Sequence, residues 1–192
     1  MEKNSLKTPC KMLIIGGSAG GLDALLEILP RLKAPINFTI TLVLHRKNTT
    51  EVTLADLIAS KTKLNVREVE DKELILESTL YIAPGDYHLL IEKTGQFSLD
   101  FSERINFSRP SIDVTLESAS RIYGPTLTCI ILSGANHDGT AGAKFVKENG
   151  GIVIAQQPET ALSPVMPESV IKEVQPQFVL NIREIVDYIN SL

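Results

Sequence analysis

Apolar positions follow two rhythms along the chain, and their alternation predicts the fold. Continuous apolar runs of strand length occur at 11–15 (KMLII), 38–44 (FTITLVL), 126–134 (TLTCIILSG) and 152–156 (IVIAQ). Such runs read as strands buried on both faces, the signature of a parallel sheet. Between them apolar residues recur at helical spacing. Leu22, Leu25, Leu26 and Leu29 form one stripe within 21–32, and segments at 50–61, 110–124, 138–149, 166–174 and 182–191 predict further helices. Pro110 stands near the start of the third helix and Gly124 at its stop, and Gly150-Gly151 close the fourth. LNVREV (64–69) is a candidate short strand. Residues 79–101 break the rhythm: period-two alternation on both sides of Lys93-Thr94-Gly95 predicts a strand followed by an antiparallel hairpin. The sum is an α/β fold, a doubly wound, mostly parallel sheet inside an α/β/α sandwich. Residues 1–9 read as a flexible leader and 10–192 as a single domain.

Composition narrows the function classes. With 43% hydrophobic residues in 192, the chain has enough apolar material for a full core. The net charge of −4, with no basic run longer than Arg46-Lys47, gives no electrostatic footprint for nucleic acid. Cys10 and Cys129 stand far apart without CxxC spacing and read as buried thiols of a reducing, cytoplasmic compartment. No apolar run approaches the roughly 20 residues that span a bilayer, and the N-terminus lacks the apolar core of a secretory signal. His137-Asp138 has no i,i+4 partner and no cysteine cluster, so no metal site is expected. No organic cofactor is expected either.

In open parallel sheets, reactive groups gather beyond the carboxyl ends of the strands. Three polar side chains fall there: Ser18 after the first strand, His45 after the second, and Asp138 after the long apolar strand. Ser18 lies in Gly16-Gly17-Ser18-Ala19-Gly20, which satisfies G-x-S-x-G in strand–turn–helix context. The dinucleotide pattern G-x-G-x-x-G fails in register, because Ser18 or Ala19 takes the second glycine position. On spacing alone, Ser18 is a nucleophile, a helix cap or part of a phosphate loop. Asp138 taken alone reads as a helix N-cap. As a triad member it would accept the Nδ1 proton of His45. His88, inside the hairpin, reads as a satisfied core histidine. The order Ser…His…Asp departs from that of the α/β-hydrolases.

These phrases together carry a resemblance. IIGGSAGGLDAL, the strand-end histidine of LVLHRKN, YIAPGDYHLLIE, RPSIDVTLESAS, IILSGANHDGTAG and VIAQQPETALSPVMPESVI, in this order, resemble the catalytic domain of the chemotaxis protein-glutamate methylesterase (CheB) family. The resemblance covers residues 11–192. It implies a doubly wound sheet and a Ser18–His45–Asp138 triad, choosing Asp138 over Asp113 or Asp86. It also implies hydrolysis of glutamate γ-methyl esters on chemoreceptor helices with release of methanol, and in several members deamidation of receptor glutamines. Backbone N–H groups at Ala19 and Ala135 would hold the oxyanion. The sequence departs from the family pattern at Ala19, where a hydroxyl residue is frequent, at Asn136-His137 before the acid, and in RKNTTEV (46–52), which lacks the usual Met-Pro run. His137 would be a bystander or a competitor of His45 for the carboxylate. Many relatives carry an N-terminal receiver domain, and only residues 1–9 precede the first strand here. If the chain is whole, constitutive activity or control by a separate phospho-signalling partner is expected. A weakly active adaptor that docks on a helical partner is the alternative reading.

Overall fold

The computed structural model describes residues 9–45 and 54–192. Its central sheet has seven strands, each hydrogen-bonded neighbour pair running parallel. In chain order the first half is β1 (Met12–Gly17), α1 (Gly21–Ile28), β2 (Thr39–Leu44), α2 (Leu54–Ala59), β3 (Asn65–Glu68) and β4 (Thr79–Ile82). The hairpin β5 (His88–Ile91) and β6 (Phe97–Asp100) forms a separate two-stranded sheet, followed by α3 (Ile112–Tyr123). The second half is β7 (Leu127–Ile131), α4 (Thr140–Glu148), β8 (Ile152–Gln156), α5 (Val165–Val174), β9 (Phe178–Leu180) and α6 (Ile182–Ile189). The strand order β3-β4-β2-β1-β7-β8-β9 reverses direction at β1. A crevice opens at such a reversal beyond the carboxyl ends of the strands, and there α/β folds place their ligands.

The alternation of β1 builds both layers. Met12 and Ile14 point into one core with Ile112, Leu116, Val146 and Val170, from α3, α4 and α5. Leu13 and Ile15 point into the other with Leu25, Ile28, Ile58 and Ile185, from α1, α2 and α6. Side chains of successive strand residues alternate between faces, so a fully apolar strand is what a sheet covered on both sides demands. The expected α/β/α sandwich and its hairpin are both present.

Some boundaries differ from the sequence expectation for identifiable reasons. The helix expected over 21–32 is α-helical only to Ile28. Pro30 lies in a short 3-10 turn, Leu29–Arg31, where its missing N–H is tolerated. The helix expected over 138–149 begins at Thr140, because Gly139 turns the chain with φ 93°. β9 was not anticipated: it has three residues, two of them exposed, too short and too wet for a periodic signal. Of the helix expected over 50–61, residues 50–53 lie outside the described residues, as does all of RKNTTEV (46–52).

Candidate active site

Neighbouring strand ends assemble the site. Gly17 pairs with Leu44 across β1 and β2, and Gly16 with Ile131 across β1 and β7. The residues that follow therefore emerge side by side. His45 N–H donates to Gly17 O (3.2 Å), and Ser18 N–H donates to Ser133 O (2.9 Å). Ser18 thus stands between the exits of β2 and β7. Its turn requires two of the glycines. A Cβ on Gly16 would lie 2.7 Å from Ile112 Cγ2, and Gly20 has φ 78°, a left-handed conformation that suits glycine.

The helix after this turn is not capped by Ser18. The N-cap of α1 is Gly20, with no side-chain hydrogen bond. Among the described residues the Ser18 hydroxyl has no hydrogen-bond partner, so the capping reading has no support. The N–H groups of Ala19 and Ala135 likewise have no acceptor among the described residues. Ser18 O, on the peptide unit that carries the Ala19 N–H, accepts from Gly21 N–H at 2.8 Å, and Ala19 O accepts from the buried Ser133 hydroxyl at 2.6 Å, so the peptides on both sides of Ala19 are held. Ser133 was not singled out in the sequence, since serine after an apolar strand is too common to signal a role.

Asp138 is fully buried and bonded on both oxygens. It does not cap its own helix, whose N-cap is Gly139. Its carboxylate instead closes the N-terminus of α3. Ile112 N–H donates to Oδ2 (2.6 Å), Asp113 N–H to Oδ1 (3.2 Å) and the Ser111 hydroxyl to Oδ1 (2.8 Å). A helix N-terminus offers unpaired N–H groups and positive potential, which favour an anion there. Burial pushes the Asp138 carboxyl up. The hydrogen bond from His45, the N–H of Ile112, the charge of His45 and the Ser111 hydroxyl outweigh it and hold the group below the usual carboxylate value.

His45 meets Asp138 at 2.6 Å, but through Nε2, where the sequence reading expected Nδ1. The reason is distance. β2 and β7 flank β1, so the two side chains approach from strands about 10 Å apart, and Nε2 is the ring nitrogen farthest from the backbone. With Asp138 ionised, Nε2 carries the proton and Nδ1 keeps its lone pair. The nitrogen left to act as base is therefore Nδ1. In the resting structure it accepts a hydrogen bond from the Ser108 hydroxyl (3.1 Å).

Ser108 comes from the loop before α3, which the sequence reading passed over. Its neighbour Asn106 donates from Nδ2 to Asp113 Oδ2 (3.0 Å) and to Asp138 Oδ1 (3.4 Å). His88 anchors the loop. Its Nε2 donates to Glu103 O (2.9 Å), and its Nδ1 accepts from Ser111 N–H (3.2 Å), as a satisfied core histidine should. Beside Asp138, burial first of all, and then the negative charge of Asp138, push the Asp113 carboxyl up to about 6. His137 is exposed, and its side chain forms no hydrogen bond or ion pair with Asp138 among the described residues.

No group of three or more His, Cys, Asp or Glu able to hold a metal occurs among the described residues, and no described helix is long and apolar enough to cross a membrane. Both cysteines are free. Burial pushes the Cys129 thiol up to about 12, as expected of an inert core thiol. A cavity of about 480 Å³ lies at the opposite, amino edge of the sheet, between Cys10, Thr128, Ile152 and Tyr188, and shares no residue with the strand-end site.

A parallel sheet that delivers a serine, a histidine and a buried aspartate to its switch point holds the side-chain types that serine hydrolases use. The CheB methylesterase family model matches residues 13–189, and the chain belongs to that family. It is 41% identical over 175 residues to a putative protein-glutamate methylesterase/protein-glutamine glutaminase of Leptospira interrogans, covering 91% of each. It is 41% identical over 173 residues to the protein-glutamate methylesterase/protein-glutamine glutaminase of Thermotoga maritima, covering 88% of this chain but 50% of that protein. The crystal structure of the Thermotoga maritima CheB methylesterase catalytic domain superposes with a TM-score of 0.90 at 38% identity, covering 96% of this chain and 99% of that one.

Proposed function

We propose that the chain is a cytoplasmic enzyme that hydrolyses glutamate γ-methyl esters on the helices of methyl-accepting chemoreceptors, releasing methanol, with Ser18 as nucleophile. Residues 10–192 act as one catalytic domain. Ser18 Oγ attacks the ester carbonyl while His45 Nδ1 takes its proton. Asp138, held ionised by the α3 N-terminus, steadies the imidazolium through Nε2. The N–H groups of Ala19 and Ala135 receive the oxyanion. The imidazolium then protonates the departing methoxide, and water cleaves the acyl-enzyme by the same base. Receptor glutamine side chains would react by the same route, with ammonia leaving instead of methanol.

The observation that carries this reading is the Asp138–His45 pair at the sheet edge where β1 delivers Ser18, whose hydroxyl has no partner among the described residues. The Ser108 hydroxyl must leave Nδ1 for Ser18 to use it, and an alternative acceptor stands ready: Asn106 O lies 3.3 Å from Ser108 Oγ. That occupied Nδ1 also favours a second reading, an adaptor that binds a helical partner with little turnover. Methanol release from a methylated chemoreceptor fragment, wild type against Ser18→Ala, separates the two. The esterase reading expects release from wild type and a loss of roughly 10⁴-fold or more in the variant. No release from folded wild type, with fragment binding retained in both, favours the adaptor.

A further inference from the structure

Residues 105–108 form a tight two-residue turn beside the site. Ile105 N–H donates to Ser108 O (3.2 Å), Ser108 N–H donates to Ile105 O (2.8 Å), and the central residues Asn106 and Phe107 both have positive φ, 50° and 61°. Positive φ at both central positions is the type I′ hairpin pattern, for which Asn-Gly is the preferred pair. Asn106 obeys that preference. Phe107 breaks it, placing a large aromatic residue where glycine would build the same turn without strain.

Nothing among the described residues repays the exception. Phe107 is 95% exposed, more than any other large hydrophobic residue among those described. Both its neighbours, by contrast, are tied to the site: Asn106 to Asp113 and Asp138, and Ser108 to His45 Nδ1. The ring is thus held, solvated, one residue from the hydroxyl bonded to His45 Nδ1. The Ser18 end of the rim shows a counterpart. Leu162 is 77% exposed, and its Cβ lies 2.6 Å from where a Cβ on Gly20 would sit. Local rules are broken in this way mainly where a ligand compensates.

We infer that Phe107 determines macromolecular specificity by packing against the apolar flank of the helix that presents the ester. This rests on the function proposed above and adds the contact that distinguishes a receptor helix from a free ester. A glutamyl side chain is short, so the helix bearing it must come down onto the rim. An amphipathic helix carries apolar neighbours three and four residues from any surface position. An exposed aromatic on a rigid turn is suited to such a contact, because little side-chain entropy is lost when it is covered.

The test compares Phe107→Ala, Phe107→Leu and Phe107→Gly with wild type on a methylated receptor fragment and on a small aryl acetate. On the fragment, Ala and Gly should raise KM about tenfold with kcat retained, and Leu should restore most of the loss. On the aryl acetate all three should stay within about twofold, and Phe107→Gly should melt no lower than wild type. An unchanged KM on the fragment, or an equal loss on both substrates, overturns the inference. Fragment affinity of Ser18→Ala, with and without Phe107→Ala, is measured in parallel. It should fall about tenfold, and equal affinities overturn the inference even if turnover is absent. Absence of methanol from wild type instead overturns the function reading.

Discussion

Two serine-bearing turns meet at His45, and they differ in almost every respect that matters for chemistry. The Ser108 turn delivers its hydroxyl directly onto Nδ1, yet that hydroxyl is buried and also lies within reach of Asn106 O and the Asn136 side-chain amide. The Ser18 turn touches the histidine only at its backbone, where Gly17 O accepts from His45 N–H, and among the described residues the Ser18 hydroxyl makes no bond to the ring. Among the described residues that half-buried hydroxyl has no partner, and the N–H groups of Ala19 and Ala135 have no acceptor. A hydrogen bond to the base does not make a nucleophile. Attack also needs room for the acyl group and donors where the oxyanion forms, and resting geometry often tightens only when substrate arrives. Those criteria support the proposal that Ser18 reacts and Ser108 positions the ring.

The comparison can first be broken at what the two serines share. Asp138→Asn keeps the shape but removes the charge that holds Nε2 protonated. Nδ1 would then cease to be the dependable base for either serine, and kcat should drop by about 10⁴-fold. A loss below tenfold, read by methanol release, would show that the His45–Asp138 pair is only structural. The same substitution should change acid stability. Asp138 has its folded pKa below its unfolded value, so its stabilisation is present above about 4 and lost as pH falls through the folded value.

A smaller effect sharpens the account of the shell behind the pair. Asp113 has the opposite sign. Its carboxyl titrates near 6 in the fold against about 4 when unfolded. As pH rises from about 4 to 6 the unfolded chain ionises first, so this group withdraws stability across that window. Asp113→Asn should remove the decline. Melting temperatures of wild type and variant, followed from pH 4 to 7, should diverge in the variant's favour by a few degrees, about 3 °C. Parallel curves would mean that Asp113 is not held protonated by its burial beside Asp138.

Much of this arrangement was legible in the chain, and the limits of legibility are physical. β1, β2, β7 and β8 are buried on both faces, so their apolar runs are continuous and unmistakable. A polar residue at the end of such a run, as at His45, stands out against them. Ser108, Ser133 and Asn106 carry no such contrast, because they lie in loops where serine and asparagine are ordinary. Their roles arise from contacts made between segments far apart in sequence. Which ring nitrogen meets Asp138 depends on the spacing of β2 and β7 across β1, a tertiary quantity without a local signature. The choice of Asp138 came from the family resemblance. Its structural cause, capture by the N-terminus of α3, lies 25 and 26 residues away in the bonds from Asp113 and Ile112. β9 escaped notice for a simpler reason, its three-residue length.

The central claim is that Ser18, not the serine already bonded to His45, is the nucleophile. A fluorophosphonate reacts with an activated serine and stays on it, so mapping the adduct by peptide mass spectrometry reads the nucleophile directly. The account predicts a single adduct on Ser18 in wild type and in Ser108→Ala, and none in Ser18→Ala. An adduct on Ser108, or labelling that survives Ser18→Ala and vanishes in Ser108→Ala, would contradict it.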